Sequence, residues 1–91
     1  MTQIELAFIY GSVARNEETK ESDIDLFIVG DIEEDEIHQL ISVAEDDIGR
    51  AINYTIMSKG EFEKRLKNQD TFVKRIVKEE KIILKGNYAF N

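Results

Sequence analysis

The stretch that most constrains this chain is Ile24-Asp25-Leu26-Phe27-Ile28-Val29, apolar at nearly every position and stopped by Gly30. A strand that is apolar on both faces needs cover on both, so it reads as an inner strand of a sheet packed by helices. Ile4 to Tyr10 is a second short apolar run, stopped by Gly11, and reads as another strand. Ile37, Leu40, Ile41, Ala44 and Ile48 recur at helical spacing, which predicts an amphipathic helix from about Glu33 to Ile48. Asp31 is a candidate cap for its start, with Glu34 three residues on, and Gly49 suits its end. Ala51 to Met57 predicts a third strand, and Ser58 with Glu61 has the spacing of a capping box. Two short helices should follow, one with Phe62 and Leu66 on its apolar face, the other with Phe72, Val73, Ile76 and Val77. Ile82 to Leu84 predicts a last strand before a polar tail, Asn87 to Asn91. The expected fold is α/β, or α+β in some schemes: a small mixed sheet with helices packed mainly on one face, forming one domain over residues 1–91.

Composition removes whole classes of function. The chain has no cysteine, which excludes disulfide staples, zinc fingers and thiol chemistry. Its 19 acidic residues against 12 Lys and Arg give a net charge of −7, which argues against a long nucleic-acid duplex or an anionic membrane as partner. No apolar run approaches the ~18 residues of a membrane span, and the opening MTQIEL lacks the basic and apolar regions of a signal peptide, so a cytoplasmic location is expected. The charge is uneven: residues 1–58 hold 14 acidic and 3 basic side chains, residues 59–91 hold 5 and 9. A nucleotide or an acidic partner fits that asymmetry.

The chemistry is concentrated in Tyr10-Gly11-Ser12-Val13-Ala14-Arg15-Asn16 and in Ser22-Asp23-Ile24-Asp25-Leu26. Asp23 and Asp25, two apart on a predicted strand, leave the same face about 6.6 Å apart along the backbone. Carboxylates so close repel by roughly 3 kcal/mol at an effective dielectric near 20, and a cation would relieve that. Mg²⁺ fits, because it takes hard oxygens, commonly one or two carboxylates, and completes its shell with water and substrate phosphate. Gly11 at a strand end allows close backbone approach, and the N–H groups of the following turn with the Ser12 hydroxyl can hold a phosphate. A helix starting there would add its amino end. Arg15 is placed to reach the same phosphate. Metal ligands beside a phosphate cradle point to phosphoryl or nucleotidyl transfer. Simpler readings exist: two solvated carboxylates, a glycine that merely ends a strand, a serine that caps a turn, and an arginine paired with Glu17, Glu18 or Glu21.

The run GSVARN followed by SDIDLFIVG resembles the signature of the DNA polymerase β-type nucleotidyltransferase superfamily in its minimal, single-domain form, and the order of apolar segments extends the resemblance over nearly the whole chain. The resemblance implies that Gly11 and Ser12 hold the triphosphate of an NTP, with ATP expected, and that Asp23 and Asp25 are the catalytic metal ligands for up to two Mg²⁺ ions. It implies a third carboxylate on the next strand, where this chain has Asn53. An amide brings no charge and is a poor base. Asn16 stands where relatives commonly have glycine; asparagine also tolerates a left-handed backbone. The implied activity is transfer of a nucleotidyl group to an acceptor hydroxyl, with a partner protein or second copy supplying the acceptor pocket that so short a chain lacks. The alternative, supported by Asn53, is a catalytically impaired nucleotide- or protein-binding regulatory module of antitoxin type.

Other residues have ordinary expectations. His38 falls off the apolar stripe and should be exposed. Tyr10 and Tyr54 read as partly buried core aromatics. The acids from Glu33 to Glu36 suit a first helical turn. Lys64, Arg65, Lys67, Lys74, Arg75 and Lys78 read as a solvated helical face.

Overall fold

The computed structural model describes residues 3–16 and 23–86. Four strands, β1 (Gln3–Tyr10), β2 (Ile24–Asp31), β3 (Ile52–Met57) and β4 (Ile82–Lys85), form one sheet in the order β3-β2-β1-β4. β1 runs antiparallel to β2 and β4, while β2 and β3 are parallel, so the sheet is mixed. The helices are α1 (Gly11–Ala14), α2 (Glu34–Ile48), α3 (Lys59–Lys67) and α4 (Thr71–Lys78). The parallel pair is joined through α2, the usual solution when two neighbouring strands run the same way.

Both faces of β2 are covered. On one, Phe27 and Val29 join Leu6, Phe8, Met57, Phe62, Val73 and Ile76 in a core under α3 and α4. Phe27 is fully buried, with the rings of Phe8, Phe62 and Phe72 at 5.3, 5.6 and 6.1 Å. On the other face Ile28 and Ala7 meet Ile37 and Ile41 of α2. Two of the three longer helices and the larger cluster thus share one face, and α2 alone covers the other.

The ends of the longer helices mostly follow local chemistry. Ser58 Oγ accepts from the Glu61 N–H at 3.1 Å, and Asp70 Oδ1 accepts from the Val73 N–H at 3.1 Å. Gly49 ends α2 in the left-handed region at φ 69°, donating to the Glu45 carbonyl at 2.8 Å. Asp31, however, does not cap α2. It is the last residue of β2, paired with Gln3, and the cap position falls to Glu33, whose side chain makes no capping bond. The ladder with β1 holds the chain extended two residues longer than the sequence pattern implies. Within the α2 stripe, Ile37 and Ile41 are buried but Leu40 and Ile48 are about half exposed, at 53% and 49%. Leu40 lies on the flank of the stripe, and Ile48 is in the last residue of the helix. No helix among the described residues is long and apolar enough to cross a membrane.

Candidate active site

Strand register builds the site. Tyr10 of β1 pairs with Asp25 of β2, and Asp25 with Asn53 of β3, so these three form one row across the sheet. The next row on the same face, two residues along, is Phe8, Phe27 and Thr55. Because side chains alternate along a strand, and Phe8 and Phe27 point into the core under α3 and α4, Tyr10, Asp25 and Asn53 project toward the same helices. They do so where the sheet ends and the core gives way to solvent. Asp23 immediately precedes β2 rather than lying on it, and it is exposed. Asn53 Nδ2 donates to Asp23 Oδ2 at 3.2 Å, which brings Asp23 to the edge of the same row.

The turn out of β1 completes the site. Gly11 has φ +77°, a left-handed value that disfavours any residue with a Cβ. A Cβ there would stand 2.4 Å from Asp25 Oδ2, so the Asp25 carboxylate lies directly against the Gly11 backbone. Asn16 is also left-handed, at φ 60°, the conformation anticipated for it. Tyr10, Gly11, Ser12, Arg15 and Asp25 line an open cleft of about 340 Å³. Asp23 and Asn53 stand outside that lining.

Two further residues line the cleft, both from the end of α4: Arg75 and Glu79. Glu79 lies between two guanidinium groups, Oε2 3.8 Å from Arg15 Nη1 and Oε1 3.7 Å from Arg75 Nε. The Arg75 guanidinium also sits 5.7 Å from the centre of the Phe72 ring. Glu17, Glu18 and Glu21, the loop partners considered for Arg15, lie outside the described residues. The basic run on α3 and α4 is therefore not uniformly a solvated face. Arg75 borders the cleft, and Arg65 is half-buried with Glu61 at 2.9 Å and Asp70 at 3.4 Å. In the sequence Arg75 reads only as part of a solvated helical face, and nothing local marks Glu79. The one available signal is that Phe72, Arg75 and Glu79 share a helical face with spacings of three and four.

Tyr10 is half-buried, with the rings of Phe8 and Phe72 each 6.2 Å away. Burial first, and then the Asp25 charge, push its phenol above the ordinary tyrosine value; a hydrogen bond with Thr55 and the Arg75 charge act the other way. Tyr54 packs on the α2 side, and His38 is exposed. Among the described residues no three acidic, histidine or cysteine side chains converge as a metal-binding group. Asp23, Asp25 and the Asn53 amide are the hard-oxygen donors at the site.

Residues 1–89, nearly the full chain, match the family described as "Polymerase beta, Nucleotidyltransferase". The chain belongs to this nucleotidyltransferase family. Over 64 residues, 70% of the chain, it is 36% identical to a Methanocaldococcus jannaschii protein named "Putative protein adenylyltransferase". The nucleotidyltransferase fold is shared with a solved structure titled "Crystal structure of the toxin-antitoxin with AMP-PNP", at TM-score 0.60 and 15% identity over 96% of the chain. In each comparison the match spans 64% of the other protein's length. Gly11, Ser12, Asp23 and Asp25, the residues that carry the resemblance in the sequence, lie together at one end of the sheet.

Proposed function

We propose that this domain binds an NTP, with ATP first among candidates, in the cleft beside Gly11, and transfers its nucleotidyl group to a hydroxyl on a partner protein. The observation that carries the reading is the cleft itself. It sets a carboxylate, Asp25, against a turn that offers Ser12 and Arg15, within a family whose members are nucleotidyltransferases. A metal-bound polyphosphate requires that polarity, with carboxylate oxygens for the cation on one wall and hydroxyl, amide and guanidinium donors for phosphate on the other.

Asp23, Asp25 and the Asn53 carbonyl oxygen are the groups that would hold Mg²⁺, a donor set suited to a hard cation that keeps several waters. When bound, Mg²⁺ supplies neutralisation of phosphate charge. The chain's own contributions are positional. Gly11 keeps the turn tight against Asp25, Ser12 donates to phosphate oxygen, and Arg15 balances negative charge. In the transfer the acceptor oxygen bonds to the α-phosphorus, the bond from that phosphorus to the bridging oxygen breaks, and pyrophosphate leaves. The acceptor proton passes to solvent, since Asn53 is no base. A partner protein as acceptor is supported by the name of the archaeal relative and by the toxin–antitoxin pair in the structural neighbour.

Calorimetric titration with Mg²⁺ and ATP tests the site. The parent should bind, and Asp23→Asn with Asp25→Asn should abolish the Mg²⁺-dependent part; binding indifferent to that double change would sink the metal site. Transfer is then read with α-phosphate-labelled ATP and candidate protein acceptors. A second reading, a regulatory module that binds nucleotide without transferring it, is favoured by the Asn53 amide that donates to Asp23. Absence of transfer in the parent with its appearance in Asn53→Asp would select it.

A further inference from the structure

Glu79 is placed as an anion between two cations. Each of its carboxylate oxygens faces a different guanidinium, Arg15 from the turn after β1 and Arg75 from α4, at 3.8 and 3.7 Å. Both distances exceed those of a charge-assisted hydrogen bond, so these are loose ionic contacts that a better anion can displace. The exposures differ in the same sense: the Glu79 side chain is 23% exposed, against 39% for Arg15 and 62% for Arg75. The carboxylate is thus the more buried partner, lying in the cleft with the arginines around it.

The surroundings limit what can move. The Glu79 N–H donates to the Arg75 carbonyl at 3.1 Å, and the Glu79 carbonyl accepts from Lys81 Nζ at 2.8 Å. Its backbone is therefore held from both sides, and the freedom left to Glu79 is rotation of its side chain. Arg75 is steadied by Phe72, over whose ring its guanidinium lies.

Building on the reading of the cleft as an NTP site, we propose that Arg15 and Arg75 form a clamp for the polyphosphate tail, and that Glu79 occupies the clamp until nucleotide displaces it. A triphosphate offers several oxygens and a larger negative charge than one carboxylate, and it can engage both guanidinium groups at once. A monophosphate offers less on both counts. The clamp therefore distinguishes ATP from AMP, and Glu79 lowers affinity for both the right ligand and smaller anions by competing for the same donors. Arg75 is in this view a binding residue contributed by the C-terminal third of the chain, and Glu79 sets the threshold of charge that a ligand must exceed.

The test is binding of ATP and of AMP, each with Mg²⁺ and again with chelator, to the full chain and five variants, followed by calorimetry. Arg75→Gln should weaken ATP about tenfold, the loss of one charge-assisted contact, and AMP by much less. Arg75→Lys should fall between, because an ammonium keeps the charge and loses the fork. Glu79→Gln should strengthen ATP by about threefold or more, on the scale of a partly exposed ion pair released. Combining Glu79→Gln with Arg75→Gln should erase most of that gain. Lys74→Gln, an exposed change on the same helix, is the control and should alter neither ligand. If ATP binding depends on Ser12 and Asp25 yet ignores Arg75 and Glu79, the clamp is wrong and the NTP site stands. Equal effects on ATP and AMP likewise overturn the clamp. If no variant, Glu79→Gln included, binds ATP, both readings fall.

Discussion

Replacing Gly11 by alanine tests the geometry on which every functional reading of this site depends. Two independent costs apply. The left-handed backbone at φ +77° disfavours an L-residue by about 1–2 kcal/mol. In addition the new methyl would stand 2.4 Å from Asp25 Oδ2, well inside any real contact, but 3.4 and 3.5 Å from Asp25 Cγ and Cβ. The Asp25 side chain alone must therefore yield, and rotation off its preferred rotamer costs about 0.5–1.5 kcal/mol. Together the change should destabilise the domain by roughly 2–3 kcal/mol, a large part of the roughly 5–13 kcal/mol expected for a chain of this size. At about 4–8 °C per kcal/mol, the melting temperature should fall by roughly 8–24 °C.

Circular dichroism melts and urea titrations of Gly11→Ala, Asp25→Ala and the double variant form a cycle that separates the two costs. Asp25→Ala removes the oxygen that collides but leaves its Cβ at ordinary contact distance, so the double variant should recover about 0.5–1.5 kcal/mol while the backbone cost remains. Gly60→Ala is the matched control, since Gly60 lies in α3 with nothing within 4 Å of the added methyl. There the same chemical change should stabilise by about 0.5–1 kcal/mol. Gly11→Ala should also lose Mg²⁺–ATP binding, because it displaces Asp25. A cost below about 0.5 kcal/mol, or a cycle with no coupling, would refute the packing of Gly11 against Asp25.

Other consequences are open to measurement. Asn53→Asp replaces an amide donor to Asp23 with a second carboxylate at 3.2 Å, so it should lower stability by about 1 kcal/mol in chelator at this exposed site and make stability rise with added Mg²⁺; identical melts with and without Mg²⁺ would contradict that. Lys81→Met strips donors from the Val77 and Glu79 carbonyls, each bonded at 2.8 Å, and should cost about 1–2 kcal/mol by urea titration. Phe27→Ala, at the centre of the aromatic cluster, should cost about 3–5 kcal/mol by urea titration. In an alkaline spectrophotometric titration Tyr10→Phe should remove a component that ionises above pH 10; because the unfolded chain loses that proton first, this group's contribution to stability should decline as pH rises past 10.

The strands and longer helices were legible because their signals are local. Ile24 to Val29 needs cover on both faces wherever it goes, and the spacing of Phe72, Val73, Ile76 and Val77 fixes one buried side of a helix. Gly11 and Asp25 were legible as candidates, but their contact was not. It depends on the register that sets Tyr10 opposite Asp25, and on a left-handed turn that carries Gly11 back over the carboxylate. Arg75 and Glu79 were illegible for a related reason. Their nearness to Ser12 follows from where the end of α4 comes to rest over β1, more than fifty residues along the chain from the signature. The capping role offered to Asp31 failed because pairing with Gln3 extended the strand, a case of sheet hydrogen bonding overriding a local preference.

The charge asymmetry of the sequence then acquires a spatial meaning. The acidic segment supplies Asp23 and Asp25, the basic C-terminal third supplies Arg75, and the fold brings the two together at the sheet end. Several of these charged groups have partners within the chain: Asp23 has the Asn53 amide, and Arg15 and Arg75 have Glu79. Under the proposed clamp a phosphate ligand would replace those contacts, so the net gain on binding would be smaller than the number of charged groups implies. The same arrangement holds Asp23, Glu79 and the two guanidinium groups at one site without a large electrostatic penalty. Had position 53 held a third carboxylate, Asp23 would have lost its donor and gained a repulsive neighbour, and the folded state would depend more heavily on a bound cation. Asn53 thus forgoes a third negative charge for a hydrogen bond that steadies Asp23.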